Sequence, residues 1–563
     1  MKLFASVGSC PDADVGATAS RWQIGDLTVW TTPETPHIWS PAGPLLIVGE
    51  VFTSDGKALH DLSVSQIHAT VASQGGWLIE HLWGRYVVVW QDPRDGAVWI
   101  ARDPSGAIPL YHWNAGSSSI VFNDLAMLMR SHRAALSIDP AGLAYRLSYP
   151  AMPSRATAIT DVTEIFPGEA MRLGPPVSYR QLWSPWDFAS QANPADGEDV
   201  RHAVETVVAA FAQGRTCSLL ELSGGLDSSI VAACLAASGH PWRAATVVTP
   251  ARDGDERAYA TIVADQFGAE LESLAFSADD IGLLAEPTRP GVRPSGYAML
   301  DALDRSLAAL AAKHGAVLFS GTGGDNVFCS LRSAAPVIDR FRDTGLRGAM
   351  QTVGDLARLT QAPISTVMGA TLRYRGNDNS RRIRWRQDRS FLTPGSVPPV
   401  APHPWLDRPT SGRPGSRAHI VLLLRAHSVV ATLERARDRP MLFPLLSQPV
   451  VETCLRIASW RWVAGGVDRA VARQAFADRL PAAIVQRRTK GRLTSLLAPA
   501  YNRDRAAIGS LLCEGELARH SLVDCDAIRR AIGAPATYDG GVYMRLLELV
   551  DAELWARAIA RLS

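Results

Sequence analysis

One stretch in mid-chain carries the clearest chemistry: Glu221-Leu222-Ser223-Gly224-Gly225-Leu226-Asp227-Ser228-Ser229, set between an apolar run and a stretch of small and apolar residues. Two adjacent glycines let the backbone curl so that successive N–H groups face one anion. A helix beginning near Ser228 adds its positive end to the same point. Ser223, Ser228 and Ser229 supply hydroxyl donors for phosphate oxygens, and Asp227 can hold a divalent metal against those oxygens. A second segment, Leu318-Phe319-Ser320-Gly321-Thr322-Gly323-Gly324-Asp325, again runs from an apolar stretch into a glycine loop that ends in Asp. Two aspartates at separate strand ends could then share Mg²⁺. The GKS or GKT ending of a Walker loop is missing, and so is the GxGxxG spacing of a dinucleotide site. The pattern is a phosphate site with a metal handle.

Elements of a particular kind must position these loops. Cys217–Leu222, Arg243–Val248 and Ala316–Phe319 read as strands, and Ser228–Ala237, Glu256–Phe267 and Asp301–Lys313 read as helices. Such alternation predicts a doubly wound parallel sheet, with both glycine loops at the carboxyl edge where ligands bind. Before it lies a different texture of short β-branched and aromatic runs: Leu45–Phe52, Trp77–Glu80, Tyr86–Trp90, Val98–Ala101 and Ser119–Phe122. We therefore expect a sheet-based domain over residues 1–190, a linker or crossover over Ser184–Glu198, and an α/β domain over residues 196–563. Residues 335–420, rich in Arg and Pro and without strong periodicity, read as an insertion or lid. Helical spacing returns from Ser428 onward.

Composition narrows the classes. The 563 residues carry a formal net charge of +2 with 20% charged residues, so no strong field favours nucleic acid as the main partner. The basic run Arg381-Arg382-Ile383-Arg384-Trp385-Arg386 suits a solvated face or acidic peptide contacts better than RNA. Apolar runs such as Ile420–Leu424 fall well short of the roughly 20 residues a membrane helix needs, and the opening Met1–Cys10 is too short in its apolar part for an export signal. Seven scattered cysteines without a CxxC pair read as reduced thiols of a cytoplasmic protein.

With these strings in view, the chain resembles the asparagine synthetase family of the ATP-pyrophosphatase class, over nearly its whole length. SGGLDSS at 223–229 is similar to the family's PP-loop, and SGTGGD at 320–325 to its second glycine loop. Asp255-Glu256-Arg257-Ala258-Tyr259-Ala260 matches the lead into the next helix. Val48-Gly49-Glu50-Val51-Phe52 resembles the family's NGEIYN strand, and Ala101–Tyr111 its RDxxGxxPLY segment. Gly84-Arg85-Tyr86 and Phe166-Pro167-Gly168-Glu169 resemble further segments of the same domain. The fold implied is an N-terminal-nucleophile glutaminase-like β-sandwich followed by an ATP-pyrophosphatase synthetase domain. The glutaminase chemistry needs an exposed first-residue Cys. Here Met1 precedes Lys2, and a lone Cys10 reads as a small buried hydrophobe. The sandwich is therefore expected to lack its nucleophile, and the amine to be present already in the substrate.

Two relatives without that nucleophile are the β-lactam synthetases and the macrolactam cyclases that make lasso peptides. SGTGGDNVF, Arg439–Glu452 and Asp468-Arg469-Ala470 leading to Arg487-Arg488-Thr489-Lys490-Gly491 resemble the lasso cyclases. Thr322 stands where β-lactam synthetases carry a catalytic Tyr and asparagine synthetases a Glu. The resemblance implies ATP binding by Ser223, Gly224, Gly225, Asp227, Ser228, Ser229, Gly321 and Gly323, and Mg²⁺ held by Asp227 and Asp325. A side-chain carboxylate of a precursor core peptide would be adenylated and then attacked by the peptide's N-terminal amine. Lys490 is the candidate for stabilising the α-phosphate and the oxyanion. Glu434 is the candidate proton acceptor, with His427, Thr322 through a water, and the substrate itself as alternatives. A leader peptidase and a leader-binding protein are the expected partners. The alternatives are a β-lactam synthetase-like or other small-molecule amide former, a glutamine-independent asparagine synthetase homologue, and a scaffold without catalysis.

Overall fold

The computed structural model describes the chain apart from residues 1, 8–18, 42, 116–117, 132–135, 175, 190–193, 251–253, 297–299, 378–384, 386, 397, 408–411, 432–440, 490, 492–493, 534–540 and 563. In the first half, two antiparallel sheets face each other. One runs in the order Val162–Glu164, Tyr111–Ala115, Ser118–Phe122, Leu3–Val7, Leu27–Thr31, Ser20–Ile24. The other runs Ser178–Gln181, Glu169–Arg172, Val98–Arg102, Leu82–Gln91, Leu45–Thr53, His37–Ser40, with Ala58–Leu59 added against Leu45–Thr53. Alternation along a strand divides its side chains between two cores. Val87 and Val89 join the core between the sheets, whereas Tyr86, Val88 and Trp90 join a larger core that continues into the second half. A strand buried on both faces reads as an unbroken apolar run, which is why Tyr86–Trp90 is legible as YVVVW.

Trp77–Glu80 departs from the expected strand and lies in a helix, Gly76–His81. A short apolar run does not distinguish the two by periodicity. Gly75, at φ 88°, turns the chain into the helix, which buries Leu78 and Ile79.

The second half is built on a five-stranded parallel sheet, ordered Leu271–Ala275, Trp242–Val248, Ser218–Glu221, Val317–Ser320, Met441–Leu442. Chain order reverses beside Ser218–Glu221, where it meets Val317–Ser320 with Glu221 opposite Ser320. Such a switch point opens a crevice at the carboxyl ends of the two strands. Both glycine loops leave from there. Residues 335–420 are more regular than their sequence suggests, since Ala335–Thr360, Ile364–Asn377 and the start of Pro414–Val430 are helices. Phe341, Leu346, Met350, Ile364, Met368 and Leu372 stay exposed on the first two, so the apolar pattern is not confined to one buried stripe. Gly345, at φ 71°, kinks the first of them.

The halves are fastened together. Arg102 and Arg293, one from each half, both pair with buried Glu164. The Trp183 indole donates to Glu452 at 2.8 Å, that of Trp186 to the Trp405 carbonyl at 3.0 Å, and the Gln448 amide to the Ile79 carbonyl at 2.8 Å. Ser184–Glu198, expected as a linker, holds the helix Pro185–Phe188 and the capped start of Gly197–Ala212, and Trp186 is buried within it. Among the described residues no helix is long and apolar enough to cross a membrane.

Candidate active site

The crevice between the two glycine loops opens into a cleft of 540 Å³. The first loop ends in the helix Leu226–Ala237, whose N-cap is Gly225 with no capping side chain. Its first-turn N–H groups are thus left for a ligand, and the helix dipole favours an anion. Gly224 has φ 65°, and a Cβ there would sit 2.4 Å from the Tyr259 Cβ and 2.7 Å from the Ala260 nitrogen, so only glycine fits this turn against the neighbouring helix. Gly321 makes the second close approach, since its Cβ would meet the Ser228 nitrogen at 2.6 Å. The two loops therefore touch through backbone.

Most of the expected phosphate ligands line the cleft: Ser223, Gly225, Asp227, Ser228, Gly321 and Gly323. The Ser223 hydroxyl accepts from the Gly225 N–H at 3.2 Å and lies 3.3 Å from that of Ser228. Gly224 contributes its carbonyl to Arg487 rather than a surface to the cleft. Ser229 differs from the expectation. It is fully buried behind the loop, does not line the cleft, and its hydroxyl has no protein partner.

Asp227 and Asp325 converge on one cation. Arg469 Nη1 lies 3.0 Å from both Asp227 carboxylate oxygens and 2.6 Å from Asp325 Oδ1. Asp468 braces that guanidinium at 2.8 Å and also pairs with Arg473. Burial alone would push the Arg469 guanidinium down, but Asp227, Asp325 and Asp468 outweigh it and hold it well above its ordinary value. Two carboxylates gathered around a single positive charge are a suitable donor set for a divalent ion. Among the described residues no group of three or more His, Cys, Asp and Glu could hold a metal alone. That fits Mg²⁺, which takes one or two carboxylates and completes its shell from substrate phosphates and water.

An ion pair and its flanking hydrogen bonds position the segment expected to supply Lys490. Arg487 donates to the Gly224 carbonyl at 3.0 Å and to Glu256 at 2.6 Å, and its guanidinium lies 3.8 Å over the Tyr259 ring. Glu256 also accepts from the Gly491 N–H at 2.9 Å. Lys490 itself lies outside the described residues, while its neighbours Thr489 and Gly491 line the cleft. Glu434 and Cys10 also lie outside them.

Of the alternative proton acceptors, Thr322 lines the cleft. Its hydroxyl lies 2.9 Å from that of Ser320, which donates to Glu221 at 3.0 Å. This hydroxyl chain ends on a carboxylate that also lines the cleft. His427 sits elsewhere, in an enclosed cavity between the halves beside Arg102, His403 and Trp405. Burial pushes its imidazole down to about 3, leaving it neutral at pH 7. Arg469, Glu256 and Glu221 are site residues to which the sequence alone assigns no role. Each lies within a motif string, Glu221 at the head of the first glycine loop, Glu256 in the Asp255–Ala260 segment and Arg469 in Asp468-Arg469-Ala470, but their partners are distant along the chain.

Residues 199–557 match the family model described as asparagine synthase, and residues 62–179 the one described as a glutamine amidotransferase domain. No curated protein matches the chain. Among solved structures, one described as the allosteric regulatory enzyme of purine biosynthesis is 10% identical, covering 57% of this chain and 89% of that one at a TM-score of 0.23. The glutamine phosphoribosylpyrophosphate amidotransferase from B. subtilis is 11% identical, covering 57% and 90% at a TM-score of 0.22.

Proposed function

Because the chain belongs to the asparagine synthase family, and is thereby an ATP-dependent amide-forming ligase, we propose that it closes a macrolactam ring in a lasso-type precursor peptide. Its first half carries the amidotransferase-type domain and its second half the synthase domain. The observation that carries the nucleotide chemistry is the convergence of Asp227 and Asp325 on one cation beside the SGGLDSS loop. Glutamine plays no part in this reading. The amine is then the peptide's own N-terminus, freed by a leader peptidase.

An Asp or Glu side-chain oxygen of the peptide attacks the α-phosphorus of ATP. The bond to the pyrophosphate breaks, and an acyl-adenylate forms. The loop N–H groups and the positive end of Leu226–Ala237 hold the phosphates. Asp227 and Asp325 would hold Mg²⁺, which when bound would supply countercharge for the leaving pyrophosphate. Lys490, carried on the segment that Glu256 and Arg487 fix, meets the negative charge that develops on the carbonyl oxygen. The amine then attacks that carbonyl, the amide C–N bond forms and AMP leaves. The proton shed by the amine passes to the Thr322–Ser320–Glu221 chain. The short Thr322 side chain leaves room for a peptide on this side of the cleft.

The reading is tested by mass spectrometry of leader-free core peptide incubated with the protein, ATP and Mg²⁺. Loss of one water from the peptide, with AMP and pyrophosphate formed in equal amount, is expected from the wild type and not from Asp227→Ala. AMP and pyrophosphate without peptide dehydration would assign a different carboxylate substrate, such as the small amino acid of a β-lactam synthetase.

A further inference from the structure

Behind the wall of the phosphate cleft lies a second, larger groove of 890 Å³. The wall consists of two segments that face both ways. Arg469, Arg487 and Thr489 line the cleft, whereas Ala470, Arg473, Gln486 and Arg488 line the groove. Its far side is the helix Ala335–Thr360 and the turn around Trp460.

Among the described residues, four arginines line this groove and no carboxylate does. Arg473 is spoken for, donating to Asp468 and to the Val485 carbonyl. The other three are not neutralised. Arg340 stacks 4.4 Å from the Trp460 ring and donates only to the neutral oxygens of Gln351 and Thr352, with its Nε buried and unpaired. Arg461 donates to the Ala195 carbonyl at 2.9 Å. Arg488 is exposed and has no carboxylate partner among the described residues. Asp343, which accepts from the Trp460 indole, is paired with Arg413. Arginines 102, 155, 201, 215, 293 and 487 show the other arrangement, each meeting a carboxylate. Three uncompensated guanidiniums around one groove raise its potential and repel one another, so an anionic ligand there is favoured. Their planar forks suit carboxylates bidentately. Val467, Val471 and Val485 give the same groove an apolar surface for a chain to lie on.

We propose that this groove binds an acidic stretch of polypeptide, the part of the substrate that is not being acylated. Choosing a polypeptide over another anion rests on the peptide-substrate reading, since the groove shares its wall with the site where the peptide would react. The near-neutral chain and the small number of free guanidiniums disfavour nucleic acid.

The test is fluorescence anisotropy of the full chain, without ATP, against fluorescein-labelled (Glu-Ser)5 and (Gln-Ser)5 peptides and a labelled single-stranded oligonucleotide. The Glu peptide is expected to bind at least tenfold more tightly than the Gln peptide, weakening with salt. Arg461→Gln and Arg488→Gln are each expected to weaken it about fivefold, with circular dichroism showing that both variants are folded. Equal binding of the Glu and Gln peptides, undiminished binding by both variants, or preference for the oligonucleotide would each overturn the proposal. Because the readout needs no turnover, the substrate reading can fail while the groove stands. Conversely, a core peptide that dehydrates normally while neither variant alters acidic-peptide binding leaves the substrate reading intact and removes the groove.

Discussion

Substituting Gly321 tests whether the two glycine loops act as one unit. Its new Cβ would lie 2.6 Å from the Ser228 nitrogen, 2.8 Å from the Ser228 Cα and 2.9 Å from the Asp227 carbonyl carbon, all backbone atoms that no rotamer change can clear. Ordinary contact begins near 3.4 Å, so in Gly321→Ala the loops must part by about 0.8 Å. Asp227 rides on one loop and Asp325 on the continuation of the other, so the carboxylates that share a cation separate as the loops do. A misplacement of about 1 Å in a reacting constellation costs on the order of 10²-fold, or ~2.7 kcal/mol in the barrier. We expect kcat/KM for pyrophosphate release to fall by about that factor, and the Mg²⁺ concentration for half-maximal rate to rise. The assay is coupled pyrophosphate detection under a Mg²⁺ titration, with circular dichroism to confirm the fold. Gly354→Ala is the control: a Cβ there meets open space, and the exchange in a helix interior should stabilise by ~0.5–1 kcal/mol with activity unchanged. A folded Gly321→Ala protein within about threefold of wild-type rate would refute the argument that this contact sets the metal geometry.

Asp227→Asn removes one of the two carboxylates facing Arg469 and should abolish pyrophosphate release while leaving the fold intact by circular dichroism, since Arg469 keeps Asp325 and Asp468. Thr322→Val cuts the hydroxyl chain to Glu221; ATP-dependent adenylation of the peptide should persist while ring closure slows by 10-fold or more, read by trapping the acyl-adenylate with hydroxylamine. Glu164→Gln strands Arg102 and Arg293 in the interior and should destabilise the protein by about 3–5 kcal/mol, measured as a shift in denaturant midpoint. His427 stays neutral in the fold down to about 3, whereas the unfolded chain protonates it below about 6.5. Its folded value is the lower, so the stability it confers is lost as pH falls through that window. Between pH 7.5 and 5 the stability of wild type relative to His427→Gln should drop by about 2 kcal/mol.

What could be read from the residues and what could not divides by sequence separation. The SGGLDSS and SGTGGD loops and their strands are local patterns, so residues 217–248 and 316–325 announce both the switch point and the aspartates placed there. The partner of those aspartates is not local. Arg469 lies 242 residues from Asp227 and 144 from Asp325, and nothing in Asp468-Arg469-Ala470 distinguishes it from a surface charge. The same distance hides Glu256, whose hold on Arg487 spans 231 residues. Trp77–Glu80 was ambiguous because four apolar or bulky residues satisfy either period. The helices from Ala335 to Asn377 are hidden for the opposite reason: glycines at 345, 348 and 354 interrupt the first, and Ile364, Met368 and Leu372 put an apolar stripe of the second in solvent, where it marks no buried face.

The ion pairs that cross between the halves bear on how this chain can be dissected. Cutting before residue 199 to isolate the synthase portion would leave Arg293 in an apolar recess without its counter-ion, and would expose Trp405 and Gln448, whose partners lie on the discarded side. Cutting the other way would strip Glu164 of one of its two guanidiniums. Each piece would lose partners it holds across the boundary, so the amidotransferase-type portion acts as a fitted wall for the synthase.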